Sequence, residues 1–488
     1  MFAIFLTSGL FLGWSLGAND AANVFGTAVG TRMISFRRAA IFSGIFVILG
    51  AVVSGAGAAR TLGELGAVNA IAGAFVVALA AAVTVYWLTT LGYPVSTTQA
   101  IVGAIIGWDL FSGALIDYGA LQKIVLSWVI SPILAAIFSA LLYKLIAYFL
   151  QHARIHMFRL DALTRAGLLI AGIAGAYALG ANNISNVVGI FVPISPFADI
   201  SFMGWFKLNA AQQLFLLGGI AIAVGTFTYG KRVMLTVGAG ITEMSPVAAL
   251  VAVLANAVVL FLFASESLQV FLLGHGLPAL PLVPVSSSQA IVGSVIGIGL
   301  VKGGRGIRWR MLGEITGAWV ATPVVAILIS FVSLFVLQNV FQQKTYIPVE
   351  YQLTAEAEQR IAASGIQTDR LTDLRGKIYS TASQFQKELS PRVTLKPREM
   401  NVVMSATEID PIALTIQAVN RMNNPSITAG QKRAVLGLVG KAFTHRWQLE
   451  VALAEKSPEW KPTPGDKEQN EKIMLDLDYV CRLIRSTQ

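Results

Sequence analysis

Gly17-Ala18-Asn19-Asp20-Ala21-Ala22-Asn23-Val24-Phe25-Gly26 recurs as Gly180-Ala181-Asn182-Asn183-Ile184-Ser185-Asn186-Val187-Val188-Gly189. Further along each copy, Pro94-Val95-Ser96-Thr97-Thr98-Gln99-Ala100-Ile101-Val102-Gly103 returns as Pro284-Val285-Ser286-Ser287-Ser288-Gln289-Ala290-Ile291-Val292-Gly293. Four long matches in a fixed order mark a duplication, with repeat one at about 1–150 and repeat two at about 163–340. Apolar stretches lie at about 2–30, 39–58, 67–92, 98–113, 121–148, 166–190, 211–228, 246–273, 286–300 and 311–340, against the roughly 20 residues a membrane-spanning helix needs. The stretches 98–113 and 286–300 are short, and each follows a proline-containing break and a Ser/Thr cluster. Each therefore reads as one arm of a re-entrant hairpin.

Composition agrees with a bilayer environment. Of the 488 residues only 13% are charged and 55% are hydrophobic, far from a soluble globular balance. Residues 1–343 hold 16 Lys and Arg against 9 Asp and Glu, whereas 344–488 hold 20 against 17. Two regions are expected: a transmembrane domain at 1–343 and a soluble, mainly helical domain at 344–488. The net charge of +10 does not point to nucleic acid, which needs clustered, solvated Lys and Arg on a soluble fold. Residues 1–18 lack a basic start and a small-residue cleavage pattern, so they are expected in the mature protein. The single Cys481 excludes an internal disulfide. No nucleophile with a base is visible in the membrane region, which speaks against an enzyme.

Basic residues orient the chain. Arg32, Arg37 and Arg38; Lys144, Arg154, Arg159 and Arg165; Lys231 and Arg232; and Lys302, Arg305, Arg308 and Arg310 mark four loops, cytoplasmic by the positive-inside rule. On that count 1–30 and 166–190 run in opposite directions, so the duplication is an inverted repeat. The end of 311–340, and with it the tail, is expected on the outer face.

The motifs carry the chemistry that inverted-repeat transporters use where broken helices meet near the midplane. Proline ends one arm, and Ser96, Thr97 or Thr98 can cap the helix that follows; Ser286, Ser287 and Ser288 do the same in the second copy. A helix N-terminus with free N–H groups and a positive dipole end holds anions. Asn19, Asp20, Asn23, Asn182, Asn183 and Asn186 are oxygen donors beside glycines that permit unwound backbone. Asp20 is costly in an apolar span unless paired, and a cation is its natural partner. The motifs contain no Lys or Arg, so a bound anion needs a mobile countercharge, and coupled symport is the simplest arrangement.

Other polar and small residues read blandly. Gly55–Ala59 and Ala78–Ala82 suit helix packing. Glu243, Glu266 and Glu314 suit span ends, and the four histidines, His275 among them, read as surface residues.

At these motifs the chain resembles the inorganic phosphate transporter (PiT) family, whose signature is G-A-N-D-x-A-N in each half with P-V-S-[ST]-[ST] hairpins. The resemblance covers about 1–340. It implies an all-α polytopic membrane protein, an inverted-repeat transporter with two re-entrant or discontinuous helical hairpins. It also implies alternating access in the cell membrane, phosphate uptake coupled to sodium or protons, and a homodimer. No cofactor is implied beyond sodium as a co-transported ligand. The implied phosphate contacts are Asn23, Thr97, Thr98, Asn186, Ser287 and Ser288. The implied cation ligands are Asp20, Gln99, Asn183 and Gln289, with Asn19, Ser96, Asn182 and Ser286 supporting them. Two departures stand out. Asn183 replaces the Asp of many members, and Gln99 and Gln289 stand where many have His, which favours sodium over protons. The family includes sulfate permeases, whose substrate the same donors would accept, and a channel lined by the same motifs is a third reading.

The tail shows amphipathic helical candidates at 352–364, 368–390, 410–422, 428–455 and 466–486, punctuated by Pro391, Pro397, Pro425, Pro458, Pro462 and Pro464.

Overall fold

The computed structural model describes residues 2–66, 68–91, 95–152, 155–197, 199–202, 206–231, 234, 244–304, 307–368, 370–420, 422, 427–463 and 467–485. Pro94, Arg154, Arg232, Glu243, Arg305, Pro425 and Pro464 lie outside them. Residues 1–112 with 116–347 form one compact unit; residues 113–115 with 348–488 form another.

Among the described residues the first unit is mainly helical, with one short hairpin, β1 (Ile200–Phe202) with β2 (Phe206–Leu208). Its helices are α1 (Phe2–Gly30), α2 (Phe36–Ser54), α3 (Ala56–Leu65), α4 (Ile71–Thr90), α5 (Thr97–Ser112), α6 (Tyr118–His152), α7 (Met157–Val188), α8 (Ala210–Thr228), α9 (Pro246–Ala264), α10 (Glu266–Gly274), α11 (Ser287–Val301) and α12 (Trp309–Asn339). Among the described residues eight of these are long and apolar enough to cross a membrane: α1, α2, α4, α6, α7, α8, α9 and α12. Alpha-helix is the natural element here because every N–H and C=O is satisfied within the segment.

Three sequence expectations need correction. The stretch 39–58 divides at Gly55, between α2 and α3. The stretch 246–273 divides at Ser265, whose hydroxyl caps α10 by accepting from the Leu268 amide at 3.2 Å. The Gly17–Gly26 motif is not unwound; α1 runs through it as a continuous helix, and α7 runs through the second copy as far as Val188.

The motif glycines serve close approach instead. A β-carbon on Gly17 would lie 1.9 Å from the Ile222 carbonyl oxygen of α8, and one on Gly180 would lie 2.1 Å from that of Val47 on α2. The reverse positions match: a β-carbon on Gly225 of α8 would lie 2.0 Å from the Trp14 carbonyl oxygen, and one on Gly50 of α2 would lie 2.0 Å from that of Tyr177. Only glycine lets two helix backbones come this near. The break helices do the same. Gly103 and Gly107 of α5 lie on Pro323 and Ile327 of α12, while Gly293 and Gly297 of α11 lie on Pro132 and Ala136 of α6.

Neighbours are thus exchanged between the halves: α5 packs on α12 and α11 on α6, as α1 packs on α8 and α7 on α2. The prolines at the contact belong to a further repeat, Trp128-Val129-Ile130-Ser131-Pro132 and Trp319-Val320-Ala321-Thr322-Pro323. Each proline lacks an N–H and leaves a carbonyl one turn back without its helical partner.

After α12 the chain is stitched to the same bundle. The Trp108 indole donates to the Thr345 carbonyl at 3.0 Å. Asn69 donates to the Ile347 carbonyl at 2.8 Å and accepts from its amide at 2.9 Å. These bonds explain why the unit ends at Ile347 rather than near Gln343.

The second unit is mainly helical, with α13 (Ala355–Ala363), α14 (Ala382–Leu389), α15 (Pro397–Thr407), α16 (Ile416–Asn420), α17 (Ala429–Leu436), α18 (Arg446–Lys456) and α19 (Lys467–Arg485). It also holds short strands absent from the sequence reading. β3 (Glu350–Gln352) pairs antiparallel with β4 (Ile378–Tyr379) and β5 (Glu408–Ile409), and β6 (Ile412–Ala413) with β7 (Ala442–Phe443). The expected helix 428–455 divides at Gly440, whose φ of 85° is open to glycine. The expected helix 368–390 keeps only its last part, α14. Pro397 starts a helix, as proline favours at the first position, rather than breaking one. Glu266 starts α10, while Glu314 lies in the second turn of α12, bonded to Arg310 at 3.3 Å. His445, expected at the surface, is fully buried, with Nδ1 2.7 Å from the Glu408 carbonyl.

The glycine contacts give a paired prediction. Gly293→Ala, which sets a β-carbon 2.2 Å from the Pro132 oxygen, should cost about 1–3 kcal/mol. Gly317→Ala, with no neighbour within 4 Å, should not. Thermal unfolding in detergent should show a lower transition for the first alone.

Candidate functional site

The two copies of each motif meet inside the first unit. The middle of α1 and the end of α7 supply the asparagines and Asp20; the first turns of α5 and α11 supply the hydroxyls and glutamines. Every candidate residue is at most 4% exposed.

Each first turn is capped by the first serine of its cluster. Ser96 Oγ accepts from the Gln99 amide and Ser286 Oγ from the Gln289 amide, both at 3.2 Å. Capping by these two serines frees the next two hydroxyls in each turn. Thr98 Oγ1 donates to the Val285 carbonyl at 3.3 Å, while Ser288 Oγ lies 3.0 Å from the Val95 carbonyl and 3.2 Å from Asp20 Oδ1. One hydroxyl proton serves one acceptor at a time, so Ser288 shares its proton between them. Each tip's hydroxyl therefore reaches the backbone of the opposite tip.

The asparagines complete the exchange. Asn23 Nδ2 donates to Ser288 Oγ at 3.0 Å, Ser287 Oγ at 3.1 Å and Asp20 Oδ1 at 3.2 Å. Asn186 Nδ2 donates to Thr98 Oγ1 at 2.9 Å and Asn183 Oδ1 at 3.0 Å. Asn19 Nδ2 holds the Val95 carbonyl at 2.8 Å and Asp20 Oδ1 at 3.0 Å. Asn182 donates to the Val283 carbonyl at 3.0 Å and accepts from the Val285 amide at 2.7 Å. Asn19 and Asn182 thus anchor the breaks on which the first turns sit.

The halves differ at one position. Asp20 Oδ1 accepts from Asn19, Asn23 and Ser288. Asn183 Oδ1 accepts from Asn186, and Asn183 Nδ2 has no partner among the described residues. Within the four motifs, the other buried atoms without a described partner are the oxygens Gln99 Oε1, Gln289 Oε1 and Asn186 Oδ1 and the hydroxyl Thr97 Oγ1. Buried polar atoms are normally paired; here the acceptor oxygens suit a cation and the hydroxyl and amide suit an anion. Among the described residues no Lys or Arg enters this network.

Two residues escaped the sequence reading. Asn256 of α9 is fully buried, donates to the Asn23 carbonyl at 3.4 Å and leaves Oδ1 without a described partner. A single Asn within an apolar span is a signal that could have found it. Asp109 of α5 is buried with both oxygens unpartnered among the described residues; it is outside the network. The carbonyls of Val95, Val283 and Val285 carry no side-chain signal.

Residues 16–330 and 279–395 match the model of the phosphate transporter family. A "putative phosphate permease" of Methanocaldococcus jannaschii is 30% identical over 328 residues, 67% of this chain and 95% of that one. A chloroplast inorganic phosphate transporter of Arabidopsis thaliana is 27% identical over 428 residues, 66% of this chain and 70% of that one. Among solved structures, one described as the sodium-dependent phosphate transporter shares the fold, with a TM-score of 0.56 at 24% identity, over 69% of this chain and 98% of its own.

The anchoring role of Asn182 is testable through stability. Asn182→Ala leaves the Val285 amide and Val283 carbonyl buried and unpaired, each costing about 1–3 kcal/mol. Its thermal transition in detergent should fall well below that of Ser127→Ala, which removes only a bond from a hydroxyl to its own helix at Ile124.

Proposed function

Because the chain belongs to the phosphate transporter family, we propose that it is a secondary symporter carrying phosphate with sodium by alternating access between two inverted halves. The observation that carries the reading is the single buried network in which each half's asparagines bond to the other half's hydroxyl tip. A tetrahedral oxyanion entering it meets donors from both sides: Asn23, Ser287 and Ser288 from one pair of elements, Asn186, Thr97 and Thr98 from the other. The first-turn amides of α5 and α11 add their dipoles. The oxygens of Asp20, Asn183, Gln99 and Gln289 take the cations.

Coupling follows from charge. Asp20 and a phosphate are both anionic, and neither is stable in an apolar interior without a countercharge. With no Lys or Arg among the motifs, the countercharge arrives with the substrate, so cation and phosphate favour one another's binding. The absence of His at the hairpin tips, where Gln99 and Gln289 stand, favours sodium over protons. Family likeness and the paired glycine contacts support the inverted repeat, with α4–α5 and α9–α11 as its two interrupted hairpins. The reading extends to a homodimer in the cell membrane, with the C-terminal tail, 344–488, on the outer face, as the basic-loop count suggests.

Uptake of labelled phosphate into proteoliposomes tests this. An inward sodium gradient should drive accumulation that excess sulfate does not suppress; accumulation of sulfate alone would overturn the substrate. Asp20→Asn should raise the sodium needed for half-maximal uptake by about tenfold or more, one unit charge being worth over 1.4 kcal/mol in a buried site. The Thr98→Ala, Ser288→Ala double variant should reduce uptake to background, losing two bonds to a charged ligand at about 1.5–3 kcal/mol each. Ser127→Ala is the matched control.

A further inference from the structure

At the basic end of the bundle, a cavity of 510 Å³ opens where α1 ends, α2 begins and α7 passes. Arg32, Arg38 and Arg165 line it, with Ser35 and the apolar Met33 and Ile34. Three guanidinium groups about one cavity repel one another unless an anion sits among them. Among the described residues, Arg165 is the one of the three that is ion-paired, to Asp161 at 2.7 Å, and it also donates to the Met33 carbonyl at 3.0 Å. Among the described residues neither Arg32 nor Arg38 has a carboxylate partner.

The backbone adds to the positive field. Ser35 is the N-cap of α2, yet its hydroxyl makes no cap bond, so the first amides of this 19-residue helix keep their donors and dipole end. Arg32 follows the last turn of α1 at φ 58°, a conformation glycine adopts without strain.

We propose that this cavity binds the phosphate group of an anionic phospholipid. Arg32 and Arg38 supply the charge, the α2 amides and Ser35 hydroxyl supply neutral donors, and Met33 and Ile34 face the start of the acyl chain. Free phosphate offers the same head chemistry, but the volume exceeds what one small oxyanion fills, and four of the eight lining residues, Val29, Met33, Ile34 and Phe36, are apolar. The position also favours a lipid: the loop joins two helices long enough to span, so it lies at headgroup level, where basic pockets between helices collect anionic lipids. The cavity shares no lining residue with the buried network, and the proposal holds whether or not the transport reading does.

Native mass spectrometry of the full-length protein in detergent, titrated with phosphatidylglycerol or phosphatidylcholine, tests it. Wild type should retain phosphatidylglycerol preferentially. Arg32→Gln with Arg38→Gln should lower that retention by about tenfold, whereas Arg37→Gln, which removes a charge from the same loop without lining the cavity, should change it less than about twofold. Arg38→Gln alone, with an intermediate loss, guards against a folding defect in the double variant. Equal retention by wild type and both cavity variants would overturn the proposal. So would displacement of the lipid by inorganic phosphate, which would assign the cavity to the free oxyanion.

Discussion

A backbone interrupted inside an apolar bundle leaves carbonyl and amide groups that water cannot reach, and each must find a partner or cost several kcal/mol. This requirement governs the centre of the molecule. The Val95 carbonyl is held by Asn19 from its own half and by Ser288 from the other. Val285 is held through its amide by Asn182 and through its carbonyl by Thr98. The same side chains that hold the breaks also line the network proposed to receive phosphate. Binding and backbone support are therefore not separable: a ligand that drew Ser288 or Thr98 toward itself would loosen the opposite break. That linkage is a physical route from an occupied site to a rearranged bundle.

Much of this was legible in the sequence because the duplication states it twice. The four motifs and the interrupted stretches follow from repetition and composition, and Asn23, Asn186, Thr98 and Ser288 were grouped by the family resemblance; the pairing of Asn23 with Ser288 and of Asn186 with Thr98 comes from the structure. What was not legible depends on distances between backbones. Gly17 and Gly180 read as permissive residues for unwinding, whereas they admit the carbonyls of Ile222 and Val47 into contact. No local pattern distinguishes these two uses of glycine; the helical partner must be known. Asn256 was hidden for a different reason, since it has no copy in a repeated motif.

The tail illustrates the limit of periodicity. Apolar residues spaced for a helix filled 428–455, but Gly440 at positive φ and the β6–β7 pair divide that stretch. Short strands of two or three residues leave almost no alternation to detect. The unit's two apolar cores, one around Leu353, Phe385 and Val403 and the other around Leu449, Trp460 and Leu477, come from side chains far apart in sequence.

The exchange of neighbours between halves bears on how the protein is made. When α5 enters the membrane its glycine face, Gly103 and Gly107, fits a groove on α12 that the ribosome has not yet produced, and the Val95 carbonyl lacks the hydroxyl of Ser288. The first half must wait in the bilayer with a smooth small-residue face uncovered, where lipid or another nascent chain can occupy it. Synthesis order thus makes the first half the client, and the second half its template.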